Sequence, residues 1–209
     1  MKNFQIPIDP VYLDIFFEPI RCKKDVIKLL MNTIKYVTTP LRVESGAVSF
    51  IHIIVDDMNR FIYQSDDKVF SIRSPFNVME KDGELSFYTP HIAEINSAVS
   101  SRVIALLSDD RFDSPNSLDF LEAIEEAFCS DVDETWAFIL DLMSFEDGYL
   151  RFDHDPDNED GRLHPLTHLD ICYTTASTYK IGTYLKPCVH YLTKLLQVND
   201  ESLYLENKK

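Results

Sequence analysis

The sequence predicts an α+β fold: a mostly antiparallel sheet of two meanders with helices packed on its apolar face. Several runs of β-branched and aromatic residues alternate in polarity, which is typical of half-buried antiparallel strands. No regular succession of strand, helix and strand accompanies them, so a parallel α/β sheet is not expected. Of the 209 residues, 45% are hydrophobic, which is enough for the chain to bury a core.

The first half of the chain predicts one helix and then a strand meander. Apolar residues recur at three- and four-residue spacing across residues 25–37, as on an amphipathic helix that stops before Pro40. Strand-forming residues dominate the run that follows Gly46 and ends at an Asp-Asp-Met-Asn turn. Strands are expected at residues 48–55, 60–64, 69–72 and 85–88, and a second helix at 95–107.

The second half predicts an acidic helix, a second meander and a terminal helix. Leu118, Ile124 and Phe128 share one face of a helix over residues 117–128, and acidic residues occupy the rest of its surface. Alternating residues predict strands at 136–142, 150–153, 168–173 and 179–181, the first two paired as a hairpin, before a helix beyond Pro187.

These elements predict a single α+β domain over residues 1–209. The chain has no internal repeat and no Gly/Ser-rich linker that would mark a boundary. The N-terminal helix and first meander are expected at about 1–108, and the acidic helix and second meander at about 109–198. A flexible tail is expected at 199–209.

The charge of the chain is concentrated in one region. Residues 109–160 contain 18 Asp and Glu but only two basic residues, Arg111 and Arg151, so this region alone carries slightly more than the net charge of −15 and the remainder is near neutral. Such a surface repels nucleic acid, because nucleic-acid binding needs a groove of lysine and arginine. The sequence therefore disfavours direct nucleic-acid binding and favours a basic partner protein.

Three sequence features predict a cytoplasmic protein with no membrane contact. The first residues lack the continuous apolar core of a signal peptide, since Asp9 and Asp14 interrupt it. No apolar run is long enough to span a bilayer. The four cysteines are widely spaced and include no C-x-x-C pair, as in proteins with reduced cytosolic thiols.

The C-terminal strands predict one polar face with the parts for general acid and base chemistry. An imidazole transfers protons near neutral pH, a carboxylate orients it, and a guanidinium stabilises a developing anion. His164 lies four residues before His168 and is expected to fold back toward the same face. If the strands are neighbours, the side chains on this face are Asp141, Arg151, Asp153, His168 and Asp170.

The same face has other interpretations. Asp153, His164 and His168 offer nitrogen and oxygen ligands for a divalent metal, although no other cofactor is expected. An antiparallel sheet often has one solvated polar face, and arginine beside carboxylates is ordinary cross-strand pairing. A metal site, a binding surface and a solvated face therefore all stay open at this point.

The polar strands also carry a family resemblance. The run L-R-F-D-H-D-P at residues 150–156, followed by H-P-L-T-H-L-D at 164–170, resembles an uncharacterised family of bacterial proteins with L-R-x-D-x-D-P before H-P-x-x-H-L-H. Asp170 stands where that family has a further histidine, and the same order is distantly similar to small ribonuclease toxins. The resemblance implies an origin beside phage-defence or mobile-element genes. The matching residues are Arg151, Asp153, His164, Pro165 and His168.

Two functions follow as expectations. The first is a cytosolic bacterial accessory or regulatory protein, in a defence or toxin–antitoxin module, whose acidic surface engages a basic partner. The alternative is a phosphodiesterase or ribonuclease, with or without a metal. In that alternative His168 is the general acid or base, Asp153 or Asp170 orients it or holds a metal, and Arg151 stabilises phosphate charge, with His164 as a further catalytic candidate.

Overall fold

The predicted α+β class is confirmed by the structure, a computed structural model that describes residues 2–39, 47–56, 59–128, 132–173 and 179–197. Across these residues, one seven-stranded antiparallel sheet and one two-stranded sheet accompany six α-helices. The strands are β1 (Lys2–Pro7), β2 (Phe50–Val55), β3 (Arg60–Gln64), β4 (Lys68–Arg73), β5 (Asn77–Lys81), β6 (Glu84–Tyr88), β7 (Leu150–His154), β8 (Thr167–Ile171) and β9 (Tyr179–Gly182). The α-helices are α1 (Leu13–Phe17), α2 (Lys23–Thr38), α3 (Ser97–Leu107), α4 (Ser117–Phe128), α5 (Val132–Ser144) and α6 (Val189–Leu196).

The chain divides into two compact units whose segments alternate along the sequence. Unit 1 consists of Met1–Ile8, Gly46–Arg73 and Gly148–Lys209. Unit 2 consists of Asp9–Ser45 and Ser74–Asp147. The expectation of one domain with its internal boundaries stays a prediction, and the expected tail at 199–209 lies outside the described residues.

Unit 1 is built on the large sheet, in the order β1-β2-β3-β4-β7-β8-β9. The helix α6 packs against one face, where Leu192 is fully buried beside Ile54, Ile62 and Val69. Along β7, Phe152 is turned to the same side, with its ring centre 5.6 Å from that of Tyr191. Because side chains alternate along a strand, the neighbouring residues of β7 are turned to the opposite face.

The chain returns to unit 1 at Gly148, immediately before β7. Arg60 of β3 donates from Nη1 to the Gly148 carbonyl at 2.9 Å and to the Ser71 hydroxyl at 3.0 Å, which fastens this point to the sheet. Gly148 has a φ of +49°, and a Cβ here would lie 2.6 Å from Arg60 Nη2. Only glycine adopts this left-handed conformation without strain. Gly148 and its hydrogen bond from Arg60 therefore hold the start of β7 in place beside β4.

Unit 2 is mainly helical. Lys23 at the start of α2 pairs with Asp147 at 2.7 Å, and Asn96 caps α3 by accepting from two backbone N–H groups. Phe120 of α4 makes edge contacts with the rings of Phe112 and Trp136, at 5.0 and 5.4 Å between ring centres. No described helix of the protein has the length and apolar character needed to cross a bilayer.

One predicted element is wrong. Residues 136–142 were expected to form a strand paired with β7, whereas they belong to α5 of unit 2. The large apolar residues alternate over this short run, but the buried positions Thr135, Phe138, Ile139 and Leu142 repeat with helical spacing. Asp141 is therefore a residue of α5 and not of a polar strand, and its carboxylate is 3.3 Å from Nε2 of His91 in the same unit.

Candidate functional site

The polar side chains of β7, β8 and β9 meet because their strands are adjacent. Arg151 is opposite Asp170, which is opposite Lys180, and in the next row Asp153 is opposite His168. Cross-strand partners project from the same face of a sheet, so these five side chains form one group, here called the ionic cluster. The expected pairing of the two C-terminal strands and the common orientation of Arg151 and His168 are present.

Arg151 is the centre of the ionic cluster. Its Nε donates to Oδ2 of Asp153 at 2.6 Å, and its Nη2 donates to Oδ2 of Asp170 at 2.5 Å. Its Nη1 also lies 3.4 Å from the Tyr149 hydroxyl oxygen. One guanidinium therefore binds one oxygen of each carboxylate and holds the two acids at a set separation.

Lys180 supplies a second cation that the sequence analysis missed. Its ammonium donates to both carboxylate oxygens of Asp170, at 2.9 and 3.1 Å, and lies 3.0 Å from Nε2 of His168. The lysine is part of the run Y-K-I-G, whose strand character was predicted. Its position opposite Asp170 follows only from the register of β8 with β9.

The tautomer of His168 follows from its partners. Its Nδ1 lies 2.8 Å from the carbonyl oxygen of Pro165, which can only accept a hydrogen bond, so Nδ1 carries the proton. Nε2 then has a free lone pair, which accepts from the ammonium of Lys180. His168 is therefore a neutral imidazole with Nε2 directed into the ionic cluster.

His164 lies beside the ionic cluster, as expected, but does not share its ion pairs. Its ring is 4.6 Å from the ring of His168, at an angle of 70°. Its Nε2 is 3.9 Å from Asp155 Oδ2, and its backbone pairs with Asp160 in the loop between β7 and β8. Burial by itself would raise the pKa of the Asp155 carboxyl. The hydrogen bonds that Asn158 donates to it act in the opposite direction, and the pKa lies below its usual value.

The polar face is buried, so it is not the solvated sheet face that the sequence also allowed. Asp153, His168 and Asp170 are 5%, 0% and 1% exposed, whereas the side chains of Arg151 and Lys180 are each 22% exposed. Burial by itself would lower the pKa of Arg151, but Tyr149 and the two carboxylates raise it overall. Two cations thus balance two carboxylates around a neutral imidazole.

Tyr149 makes the stability of unit 1 depend on pH in the alkaline range. Burial raises the pKa of its phenol to about 12, partly opposed by Arg151. A raised pKa means that this group stabilises the fold below pH 10 and that the contribution is lost as pH rises toward 12. We expect the free energy of unfolding to fall by about 2 to 3 kcal/mol more in the wild type than in Tyr149→Phe over this interval.

Urea unfolding at a series of pH values from 9 to 12 measures this difference. Tyr184→Phe is the matched control, because Tyr184 is 81% exposed and its substitution should leave the alkaline loss as in the wild type. Equal alkaline loss in Tyr149→Phe and the wild type would contradict the assignment to Tyr149.

Three residues of the ionic cluster are spaced to suit a metal ion. Each offers one ligand atom, and these atoms lie within 4.8 Å of one another: the residues are Asp153, His168 and Asp170. Nε2 of His168 is 3.6 Å from Asp153 Oδ2 and 3.9 Å from Asp170 Oδ1. The other oxygen of Asp153, Oδ1, is buried and has no hydrogen-bond partner among the described residues. Asp153, His168 and Asp170 were all expected as possible metal ligands, whereas His164, which was also expected, does not belong to this group.

A second feature is the surface of α4 and α5 in unit 2, here called the acidic helical surface. Neither helix contains a lysine or arginine. Glu126 pairs with Arg111 at 2.7 Å and Asp141 with His91 at 3.3 Å, whereas four other exposed acids form no ion pair with any described residue. These unpaired acids are Glu122, Glu125, Asp133 and Glu134. Three large apolar residues of the same helices are exposed: Leu118, Trp136 and Leu140.

Comparisons with protein-family models, with curated proteins and with solved structures found no match to this chain. The family resemblance of residues 150–170 therefore stays a prediction.

Proposed function

We propose that this protein is a regulatory or accessory protein that binds a basic partner protein through the acidic helical surface. The observation that carries the proposal is the combination of exposed apolar side chains with unpaired carboxylates on α4 and α5. Its place in a bacterial defence or toxin–antitoxin module, in the cytoplasm, rests on the family resemblance and on the cysteine pattern.

The apolar part of the surface has the character of a binding anchor. Trp136 is 37% exposed and Leu140, one helical turn later, is 53% exposed, so the two share one stripe of α5. The edge contact with Phe120 holds the indole ring in place, so little side-chain entropy remains to be lost on binding. Tryptophan in such a position is enriched among the residues that dominate binding energy.

The charged part selects the partner. Four carboxylates on the same two helices have no ion pair within the part of the chain that the structure describes, and their mutual repulsion is relieved when a lysine- or arginine-rich surface docks. Such complementarity accelerates encounter and weakens as salt screens it. It also disfavours nucleic acid as the partner, since phosphates carry the same sign of charge.

The cleavage alternative receives less support from the geometry. His168 is fully buried, Nδ1 donates to Pro165, and Nε2 already accepts from Lys180. A general acid or base has to reach the proton that it transfers, directly or through one water. Neither ring nitrogen of His168 is available for this in the described arrangement.

Partner capture followed by affinity measurement tests the proposal. The immobilised protein captures a partner from bacterial lysate, and the purified partner is then titrated at low and high salt. We expect a partner with net positive charge and roughly tenfold or more weaker binding to the variant E122Q/E125Q/D133N/E134Q. Trp136→Ala should weaken binding by a similar factor, because it removes the anchor.

The matched control is E80Q/D82N/E84Q/E94Q, which removes the same number of charges from exposed positions of unit 2 outside α4 and α5. This variant should bind the partner as the wild type does. It loses as many negative charges as the first quadruple variant, but its acidic helical surface is intact. The proposal fails if both quadruple variants bind equally, or if affinity is independent of salt.

A further inference from the structure

We propose that Asp153, His168 and Asp170 bind one divalent transition-metal ion, and that the ammonium of Lys180 holds the lone pairs of Asp170 and His168 until the ion displaces it. The site belongs to the ionic cluster of unit 1. It is independent of partner binding at the acidic helical surface, so either proposal can fail without the other.

The ligand atoms are already gathered. Arg151 binds one oxygen of Asp153 and one of Asp170, which leaves the second oxygen of each carboxylate for another cation. At Asp170 that oxygen, Oδ1, faces Lys180 at 2.9 Å. At Asp153 it is Oδ1, buried without a partner in the described part of the chain. A buried unsatisfied carboxylate oxygen is energetically unfavourable, and a metal ion would satisfy it.

Lys180 indicates where a cation is stabilised. Its Nζ lies 2.9 to 3.1 Å from both oxygens of Asp170 and from Nε2 of His168. An ammonium and a metal ion therefore compete for the same lone pairs. The lysine side chain is 22% exposed and flexible, so its charged end can move into solvent when an ion arrives.

The surrounding bonds hold His168 ready as a ligand. Donation from Nδ1 to the Pro165 carbonyl fixes the neutral tautomer and directs the lone pair of Nε2 into the cluster, as in metal sites whose histidines are oriented by a backbone carbonyl. Pro165 itself lies against Gly182 of β9, where a Cβ would be 3.1 Å from its ring. No proton has to leave His168 when the ion binds.

The donor set selects the class of ion. One imidazole nitrogen and two carboxylates suit zinc, cobalt, manganese or iron in the divalent state, whereas calcium and magnesium prefer sets of oxygen ligands. With Lys180 in place, the two cations and the two carboxylates of the ionic cluster have a net charge of zero. When a divalent ion replaces the ammonium, the ion, Arg151 and the two carboxylates have a net charge of plus one. Water or an anion can complete the coordination of that ion.

Titration of the whole chain with Co²⁺ tests the site, with bound metal counted by elemental analysis and coordination followed by visible absorption. We expect one Co²⁺ per chain in the wild type and none in Asp153→Asn, which preserves the shape of the side chain. Lys180→Met should bind Co²⁺ roughly tenfold or more tightly, because no charge-assisted hydrogen bonds of the ammonium have to break first.

Asp157→Asn is the matched control, since it removes an exposed acid of the nearby loop and should leave binding unchanged. Calcium at the same concentrations should not displace Co²⁺. Circular dichroism establishes that each variant is folded. The proposal is overturned if neither the wild type nor Lys180→Met binds stoichiometric Co²⁺, if Asp153→Asn retains the wild-type affinity, or if Lys180→Met binds no more tightly.

Discussion

Replacement of Arg151 by methionine should lower the free energy of unfolding by about 3 to 5 kcal/mol. The guanidinium donates to both Asp153 and Asp170, which are 5% and 1% exposed. Without it, the one cation left beside this pair among the described residues is Lys180, whose ammonium hydrogen-bonds to Asp170 but not to Asp153. An uncompensated buried charge is more destabilising than the loss of an ordinary hydrogen bond. Urea unfolding at neutral pH measures the change.

Arg111 offers a matched control within the same chain. It also donates to two carboxylates, of Asp109 and Glu126, at 2.8 and 2.7 Å, but these groups lie at the surface. Water replaces the lost partner there, so Arg111→Met should have a much smaller effect than Arg151→Met. Similar effects of the two substitutions would show that the ionic cluster is solvated rather than buried.

Truncation of Leu192 to alanine should destabilise the protein by about 2 to 5 kcal/mol. Leu192 is the fully buried residue of α6 and belongs to one apolar cluster with Ile54, Ile62 and Val69 of the sheet. Its removal deletes buried methyl groups and leaves a cavity that the strands cannot close, since their register is held by hydrogen bonds. Chemical denaturation monitored by circular dichroism gives the difference in free energy.

Leu185→Ala is the control for this substitution, because Leu185 is in the same unit but is 51% exposed. Its replacement should change stability by less than about 1 kcal/mol. If Leu192→Ala were as mild as Leu185→Ala, the packing of α6 on the sheet would be contradicted.

Most elements could be predicted because their patterns are long or clearly bounded. The helices α2, α3 and α4 and the strands β2, β3 and β4 were each predicted within a few residues. The helices show apolar residues at three- and four-residue spacing, and the strands are short runs of β-branched and aromatic residues. Residues 136–142 were assigned wrongly because a short run of large apolar residues fits both periods.

The candidate site could be predicted in part. Arg151, Asp153, His168 and Asp170 were placed together because they alternate with apolar residues on strands that are near neighbours in sequence. Lys180 was missed, since its position depends on the register of a strand of only four residues. The bond from His168 to the Pro165 carbonyl was equally unpredictable, because backbone acceptors leave no mark in the sequence.

Within each strand, the sequence alone determined which side chains share a face. Side chains alternate between the two faces of a strand whichever strands lie beside it. Only the tertiary structure decided that this face is buried, that Lys180 completes its charge balance, and that Asp141 belongs to a helix. Burial and ion pairing depend on contacts between residues far apart in the chain, and such contacts form only when packing has set the register of the strands.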